Sequence, residues 1–207
     1  MTTDLNADFW NTRYLKNDFG WDVGEISEPL KAYIDQLNDA GLQILIPGAG
    51  NAYEAEYLLK KGFKHVYVCD LAEEALKNLK QRCPEFPSNQ LIRGDFFNKN
   101  QWSPPTSRQL KPFDLILEQT FFCAIHRALR QNYFKQMHAL LKPEGRLVGV
   151  LFNDILNADK PPFGGSAEEY KGYFQNLFTV HTFETCYNSI QPRAERELFI
   201  NLIKKYI

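Results

Sequence analysis

The sequence lacks the clusters of cysteine and histidine that bind metal ions. Its 207 residues include only four cysteines, without a CxxC pair, and four histidines that lie far apart. Metal sites require such ligands close together, so we predict no metal site. A chain of this length buries enough core to fold without disulfide bridges, and we expect the four thiols to be reduced.

An excess of positive charge and long apolar segments are also missing. The 24 Lys and Arg residues almost balance the 25 Asp and Glu residues, which leaves a net charge of -1. Such a balance gives no broad attraction to a phosphate backbone or an anionic membrane. No segment approaches the roughly 20 apolar residues of a membrane span, and the amino terminus resembles no signal peptide. We therefore predict a cytoplasmic protein without nucleic-acid or membrane partners.

What the sequence does contain is a regular alternation of strand-like and helical segments. Short apolar runs predict strands at 42–47, 65–70, 90–97, 113–118 and 146–153. Apolar residues at helical spacing predict helices at 27–41, 52–62, 71–82 and 127–145. Strands that alternate with helices in this way form a parallel sheet that is covered on both faces.

The carboxyl-terminal part breaks this alternation. A helical pattern at 166–177 is followed by two strand-like runs, 181–190 and 197–207, which predict an antiparallel hairpin at one edge of the sheet. We therefore expect one α/β domain over the whole chain, with a Rossmann-like, mostly parallel seven-stranded sheet and helices on both faces. Residues 1–40 are expected to form an N-terminal helical cover, and residues 41–207 the core.

Small residues occupy the turn between the first predicted strand and its helix. Gly48 and Gly50 predict either a tight turn or a place where a bulky ligand lies directly against the backbone. Asp70 ends the second strand, about 20 residues further on, where a carboxylate accepts hydrogen bonds from the two hydroxyls of an adenosine ribose. The same aspartate is a typical N-cap for the following helix, and the two roles are compatible.

An acidic and an aromatic residue follow the third strand. Asp95 is placed to accept from an adenine amino group and Phe96 to lie against the base, while the alternative is a turn aspartate and a core phenylalanine. Together with the glycine turn and Asp70, these residues favour an adenosine pocket. A dinucleotide is disfavoured because Tyr53 stands where its fingerprint needs a third small residue, and no triphosphate-binding lysine motif is present. S-adenosylmethionine, which has no phosphates, fits this pattern, with S-adenosylhomocysteine as its product.

Short motifs distributed over nearly the whole chain resemble the thiopurine S-methyltransferase family and, within it, the branch of plant halide and thiocyanate methyltransferases. The motifs are Phe9-Trp10, Trp21-Asp22-Val23-Gly24, Ile46-Pro47-Gly48-Ala49-Gly50, Phe113-Asp114-Leu115-Ile116, Phe121-Phe122-Cys123-Ala124-Ile125, Leu141-Lys142-Pro143-Glu144-Gly145 and Pro161-Pro162-Phe163. The resemblance implies a class I methyltransferase fold with S-adenosylmethionine as methyl donor. It also implies a cofactor site, which we expect to be lined by Trp10, Tyr14, Trp21, Gly48, Gly50, Asp70, Leu71, Asp95, Phe96 and Gln119.

Three positions depart from the plant pattern: Tyr14 stands for a Trp, and Gln119 and Phe152 each stand for a Tyr. The N-terminal aromatic residues suit a cationic sulfonium, because a positive centre over a Trp face gains roughly 0.5 to 2 kcal/mol. We expect Trp21 to make this contact. The alternative is that Trp21 acts as a hydrophobic staple that fixes the N-terminal segment to the sheet.

Four phenylalanines, Phe121, Phe122, Phe152 and Phe163, are expected near an apolar pocket for a small-molecule methyl acceptor, and we expect the last three to line it. Residues 9–24 and the loop 153–166 are expected to close over the pocket, because methyl transfer to a small anion proceeds better without bulk water. A soft anionic nucleophile (a thiol, thiopurine, thiocyanate, halide or chalcogen) needs alignment more than it needs a base. No catalytic residue is therefore assigned.

Two other functions are compatible with the same residues. An O- or N-methyltransferase needs a base, and Asp114, Glu118 and His126 are the candidates. A protein that binds S-adenosylmethionine without catalysis is the other alternative. In each case we expect a monomer or a weak dimer.

Overall fold

The computed structural model describes residues 4–206, with the backbone alone at Pro105. Its strands are β1 (Gln43–Pro47), β2 (His65–Asp70), β3 (Leu91–Arg93), β4 (Phe113–Gln119), β5 (Leu141–Phe152), β6 (Phe178–Thr185) and β7 (Glu197–Lys204). Its α-helices are α1 (Ala7–Leu15), α2 (Glu28–Ile34), α3 (Tyr53–Lys60), α4 (Glu73–Arg82), α5 (Arg130–Leu140) and α6 (Ala167–Phe174). In this part of the chain, no helix has the length and apolar character of a membrane span. Residues 1–3 of the predicted cover and Ile207 of the predicted last strand lie outside the described residues.

The strands form one sheet in the order β3-β2-β1-β4-β5-β7-β6. Strands β1 to β5 pair in parallel, whereas β7 runs antiparallel to both β5 and β6. The predicted seven-stranded, mostly parallel sheet with a C-terminal antiparallel hairpin is therefore confirmed. The winding direction reverses between β1 and β4, and a crevice at the carboxyl ends of such strands is where ligands bind in this kind of sheet.

The core lies on both faces of the sheet because successive strand residues point to opposite sides. Leu45 of β1 packs into the layer under α5 and α6, whereas Ile44 and Ile46 pack under α2, α3 and α4. Leu76 and Leu79 of α4 belong to this second layer, and both are buried. Burial of apolar surface on both faces, at about 25 cal/mol per Å², holds the helices against the sheet.

Two predicted helices are shorter than their patterns suggested. The helix predicted at 127–145 stops before Leu141, because Leu141 already pairs with Phe113 as the first residue of β5. The next residues bulge out before the pairing with β4 resumes. The helix predicted at 27–41 ends at Ile34, where the last buried residue of its apolar face lies.

The N-terminal segment contains α1 and the turn that follows it, and it lies beside the carboxyl end of β2. Tyr14 of α1 packs with Ala72 and Ala75 at the start of α4, and Trp10 and Trp21 extend this cluster. Residues of the cover therefore reach the edge of the sheet at which the strands end.

Candidate functional site

A cavity of about 800 Å³ opens at the carboxyl edge of the parallel strands. One side of its wall consists of the turn after β1, the end of β2, the loop after β3 and the end of β4. The N-terminal cover, the loop after β4, the loop after β5 and the loop before β7 form most of the remaining wall. This volume lies in the range of small-molecule sites. Every residue predicted to bind the cofactor contributes to the wall: Trp10, Tyr14, Trp21, Gly48, Gly50, Asp70, Leu71, Asp95, Phe96 and Gln119.

The glycine turn after β1 is held in place by Asp70. Its carboxylate accepts hydrogen bonds from Gly50 N (2.9 Å) and from Ala72 N at the start of α4 (2.8 Å). Gly48 and Gly50 have φ angles of 55° and 56°, in the left-handed region that favours glycine. The turn is therefore tight, and the aspartate joins it to the beginning of a helix.

Protein side chains lie against both glycines of this turn. A β-carbon on Gly48 would collide with the ring of Phe121, and one on Gly50 would lie 2.9 Å from the hydroxyl of Tyr14. Both glycines also line the cavity, so the expectation that they let a ligand lie directly against the backbone stays a prediction. They make room for Phe121 and Tyr14, and these two side chains line the cavity.

Asp70 is a buried acid at the edge of the cavity, with 9% of the residue exposed. Burial raises its pKa to about 6, although hydrogen bonds from Ala72 N and Gly50 N act in the opposite direction. The side chain is therefore ionised at neutral pH. Each carboxylate oxygen accepts one backbone N–H and has capacity for a further donor, such as a hydroxyl.

The loop after β3 places Asp95 and Phe96 in the cavity wall. The strand predicted at 90–97 ends at Arg93, and Asp95 then accepts from Phe97 N (2.9 Å) to close a turn. Phe96 is buried and packs against neighbouring aromatic rings. Asp95 therefore has the turn role and Phe96 the core role that were considered as alternatives. Both residues also line the cavity.

A cation already lies over the ring of Trp21. The guanidinium carbon of Arg13 is 4.6 Å from the ring centre, while Trp10 and Tyr14 meet the ring edge-on. The carbonyl of Trp21 accepts a hydrogen bond from Arg193 (2.5 Å). The staple role is therefore present in the structure, and contact of Trp21 with a sulfonium stays a prediction.

Glu118 in β4 is fully buried and shapes the turn that follows the strand. Its carboxylate accepts from Phe121 N (2.8 Å), Phe122 N (2.9 Å) and the hydroxyl of Tyr133. Burial raises its pKa to about 7. Because Glu118 is not part of the wall of the large cavity, its position fits a structural role and not that of a base acting on an acceptor.

The other two base candidates lie at opposite ends of the fold. Asp114 is near the start of β4, where it accepts from Gln43 N (2.8 Å) and pairs with Lys142. His126 lies in the cavity wall, next to the ring of Phe163 at a centroid distance of 5.6 Å. Of the three candidates, His126 is therefore the one that is placed to reach a bound acceptor.

The expected acceptor pocket includes Phe152 but not Phe122. Phe152 lines the cavity, and the guanidinium carbon of Arg193 is 5.6 Å from its ring centre. Phe122 is 1% exposed and packs against Tyr133 in the core. The two neighbours in the Phe121-Phe122 pair point to opposite sides, so Phe121 faces the cavity and Phe122 does not.

The prediction for Phe163 is corrected for a similar reason. Phe163 is buried outside the cavity wall, with its N–H donated to the carbonyl of Cys123 (2.7 Å). Pro161 and Pro162, which precede it, line the cavity instead. The loop after β5 therefore contributes its prolines and Leu156 to the wall.

Arg130 of α5 anchors this loop, and the sequence analysis did not identify it. Its fully buried guanidinium pairs with Glu169 (2.7 Å) and donates to the carbonyls of Phe163 (3.1 Å) and Gly164 (3.0 Å). It also lies over the ring of Phe122, 4.8 Å from its centre. In an amphipathic helical pattern, an arginine predicts a solvent-exposed side chain. The sequence therefore does not indicate that Arg130 is buried and holds the loop after β5.

The loop before β7 also enters the cavity, which the sequence analysis missed. Pro192, Arg193 and Arg196 line the wall, because the sheet order places β7 next to β5. Arg193 lies 3.5 Å from Glu197 in addition to its bond with Trp21. The sequence does show two arginines within the predicted hairpin, but only the strand order shows that they reach the carboxyl edge of the parallel strands.

The cofactor side of the wall suits a ligand that carries hydroxyl and amine donors. Asp70 offers a buried carboxylate, and the side-chain oxygen of Gln119 is buried without a hydrogen-bond partner among the described residues. Aromatic rings from the cover and from Phe96 surround them. Within residues 4–206, no group of His, Cys, Asp and Glu is arranged to hold a metal ion. These features fit S-adenosylmethionine.

Comparison with known proteins places the chain among methyltransferases. The model of the thiopurine S-methyltransferase family matches residues 5–203. A probable thiol methyltransferase 2 of Arabidopsis thaliana is 26% identical over 174 residues, which cover 83% of this chain and 73% of the plant protein. The thiopurine S-methyltransferase of Pseudomonas aeruginosa is 25% identical over 198 residues, 87% of each chain. A thiocyanate methyltransferase 1 of Arabidopsis thaliana is 26% identical, but the match spans only 65% of its length.

Solved structures agree with this fold. A SAM-dependent methyltransferase from Anabaena variabilis superimposes with a TM-score of 0.70 and 14% identity, covering 99% of this chain and 98% of the other. The family match, which extends over almost the whole chain, confirms the predicted cofactor, S-adenosylmethionine, and the predicted enzyme class. This chain belongs to the thiopurine S-methyltransferase family of S-adenosylmethionine-dependent methyltransferases.

Proposed function

We propose that this enzyme transfers the methyl group of S-adenosylmethionine to a small soft nucleophile: a thiol, a thiopurine, thiocyanate, a halide or a chalcogen anion. The supporting observation is the composition of the acceptor side of the cavity, defined as the wall residues from the loops after β4, after β5 and before β7. Among the described residues, this side carries Arg193, Arg196, His126, Thr120 and otherwise mainly apolar side chains, and no carboxylate. The carboxylates that pair with the two arginines, Glu197 and Asp154, lie outside the wall. A cationic and apolar wall attracts an anion and removes its water.

The residues on the other side of the cavity are assigned to the cofactor. When bound, S-adenosylmethionine supplies a methyl group on a positively charged sulfur. We assign its ribose to Asp70 and its adenine to Asp95 and Phe96, with the glycine turn and Gln119 beside its amino-acid end. An acceptor that is already an anion has no proton to lose, so Arg193 orients it and the aromatic cover excludes water.

Turnover with a panel of acceptors tests the proposal. The purified enzyme is incubated with labelled S-adenosylmethionine and sulfide, small thiols, iodide, thiocyanate or thiopurines. We expect transfer to one or more of these, and we expect Arg193→Gln to lower kcat/KM by about 10- to 100-fold through loss of a charged hydrogen bond. Arg127→Gln changes an exposed arginine outside the wall and serves as the control. Transfer to hydroxyl or amine acceptors alone would overturn the proposal.

A second candidate function is O- or N-methyl transfer with His126 as the base, which its place in the cavity wall favours. In that case His126→Gln impairs transfer to hydroxyl or amine acceptors far more than transfer to iodide or thiocyanate, which carry no proton. Binding of S-adenosylhomocysteine with no transfer to any acceptor would instead indicate a protein that binds the cofactor without catalysis.

We also propose that residues 1–207 act as one domain, in the cytoplasm, as a monomer or weak dimer. Sedimentation at several protein concentrations measures the association. A stable oligomer at nanomolar concentration would contradict this part of the proposal.

A further inference from the structure

The two arginines on the acceptor side of the cavity are held in different ways. The side chains of Arg196 and its partner Asp154 are 47% and 31% exposed. Those of Arg193 and Glu197, which lie 3.5 Å apart, are only 12% and 5% exposed. Water screens an exposed charge pair, whereas a pair that is shielded from water attracts more strongly. Arg193 is therefore the arginine whose position its surroundings fix.

A turn and the strand register place Glu197 beside Arg193. Arg196 N donates to the carbonyl of Arg193 (3.0 Å), and this turn leads the chain back to Glu197, the first residue of β7. Glu197 pairs with Phe152 of β5, and side chains directly opposite each other on antiparallel strands lie on the same face of the sheet. The side chains of Glu197 and Phe152 are therefore neighbours, and the guanidinium of Arg193 lies close to both.

The carboxylate of Glu197 is itself held in place. Ser189 Oγ donates to Oε2 of Glu197 (2.7 Å), while Oε1 faces Nη1 of Arg193. Burial raises the pKa of Glu197, whereas the hydrogen bond from Ser189 and the charge of Arg193 act in the opposite direction. Glu197 lies outside the wall of the large cavity. Any effect of this carboxylate on a bound acceptor therefore passes through Arg193.

Contacts at both terminal nitrogens fix the direction of the guanidinium. Nη2 of Arg193 donates to the carbonyl of Trp21 (2.5 Å), and Nη1 faces Glu197. The five N–H groups of a guanidinium lie in one plane, so these two contacts also set the direction of the N–H groups that are left for a ligand. Without Glu197 the group would be free to turn about its contact with Trp21. An anion bound to it would then lose its alignment with the methyl group.

We propose that Glu197 is a positioning residue, which holds Arg193 in the orientation that aligns the acceptor with the methyl group. This inference rests on the proposed function, which assigns the acceptor to Arg193. It gives a buried carboxylate outside the cavity an effect on methyl transfer without contact with either substrate.

A double-mutant cycle tests the inference, with the acceptor of the panel above that the unmodified protein methylates fastest. Glu197→Gln keeps the size of the side chain and removes its charge. We expect it to lower kcat/KM by about 10-fold, near the lower limit for a charged hydrogen bond. In the Arg193→Gln background the same change should alter kcat/KM by less than about 2-fold, because the group that Glu197 positions is absent. Glu195→Gln makes the matched change on an exposed glutamate outside the cavity wall and should behave like the unmodified protein.

The competing roles of Glu197 give different results. Equal losses in both backgrounds would overturn the inference, because Glu197 would then act independently of Arg193. An unchanged or higher kcat/KM in Glu197→Gln would also overturn it, because a carboxylate that only neutralises Arg193 weakens the attraction for an anion. The melting temperature and the affinity for S-adenosylhomocysteine should stay the same in Glu197→Gln, and a loss of either would show a structural role instead. No transfer by the unmodified protein to any acceptor of the panel would overturn the proposed function, and the inference with it.

Discussion

At the scale of single residues, the raised pKa of Asp70 makes cofactor binding sensitive to pH. Burial brings this pKa to about 6, so the side chain becomes neutral as the pH falls from 7 to 5. A neutral carboxyl is a weaker acceptor for ribose hydroxyls, and we expect the affinity for S-adenosylhomocysteine to fall over this interval. Asp70→Asn should bind about 1.5 to 3 kcal/mol more weakly at pH 7 and lose the pH dependence. Calorimetry between pH 5 and pH 8 measures both.

Protein stability responds to the same residue with the opposite sign, which provides a control. The folded pKa lies above the ordinary value of 3.8, so the folded protein binds this proton more tightly than the unfolded chain. The contribution of Asp70 to stability is therefore complete below the ordinary value and is lost as the pH rises through about 6. If the protein stays folded and its affinity for S-adenosylhomocysteine does not weaken between pH 7 and pH 5, Asp70 acts only as a helix cap.

Some residues of the site can be predicted from the sequence because their roles depend only on the neighbouring residues in the chain. Gly48 and Gly50 are required by backbone conformation, and Asp70 by its position after a strand. The orientation of Phe121 and Phe122 is not readable, because both are large apolar residues in an irregular turn without a period of two or 3.6. Glu118 fixes the orientation of both rings. Its carboxylate accepts hydrogen bonds from the backbone N–H groups of Phe121 and Phe122 and thereby sets the shape of the turn.

At the scale of elements, the loop after β5 depends on Arg130. Arg130→Met removes the donors to the carbonyls of Phe163 and Gly164 and the ion pair with Glu169, which keeps its hydrogen bond from the hydroxyl of Tyr173. We expect the free energy of unfolding to fall by about 3 kcal/mol, because each buried carbonyl that loses its donor costs about 1 to 3 kcal/mol. The loop carries Pro161 and Pro162 into the cavity wall, so KM for the acceptor should rise while the affinity for S-adenosylhomocysteine changes little.

The neighbouring exposed Arg127 supplies the matched control for this prediction. Arg127→Met lies outside the cavity wall and should alter stability by no more than about 0.5 kcal/mol. Chemical denaturation and steady-state kinetics on both variants separate stability from acceptor binding. An unchanged KM in Arg130→Met would show that Arg130 supports the fold without shaping the acceptor side.

The N-terminal cover and the loop at 153–166 are expected to act together as a lid. Both contribute to the wall, the cover through Trp10 and Trp21 and the loop through Pro161 and Pro162. Limited proteolysis should therefore show protection of both segments when S-adenosylhomocysteine is bound. Deletion of residues 1–20 should leave a folded protein, because the two large core clusters contain no residue of this segment, but most transfer activity should be lost.

The outcome that would contradict the lid is equally specific. A truncated enzyme with full turnover, or segments that are cleaved at the same rate with and without S-adenosylhomocysteine, would show that the cover only packs on the outside of the sheet. Circular dichroism of the truncated protein confirms that its fold is retained.

The ends of elements were less predictable than their order. Short continuous apolar runs predicted the strands around Leu45 and Leu115, because both faces of a central parallel strand are buried. The end of α5 was predicted too late because Leu141 is compatible with both the helix and the sheet. The partner strand determines where the helix ends, because the pairing of Leu141 with Phe113 makes Leu141 the first residue of β5.

At the scale of the whole molecule, sheet order determines which distant segments meet at the cavity. The alternation of strands and helices predicts the carboxyl edge as the site, and the cofactor side of the cavity follows from it. The acceptor side does not, because Arg193 arrives there through the antiparallel pairing of β7 with β5 and not through any local motif. Residues near the carboxyl-terminal hairpin therefore contribute the least predictable part of the wall.

The hydrogen bond from Arg193 to the carbonyl of Trp21 joins residues that are 172 positions apart in the chain. Ribosomes release the amino end first, so the cover emerges long before the segment that fastens it. β7, which pairs with β5, is also synthesised after every other described strand and helix. A nascent chain therefore completes this cavity only after the loop before β7 and β7 itself have been synthesised, and fragments that lack β7 should have no methyl-transfer activity.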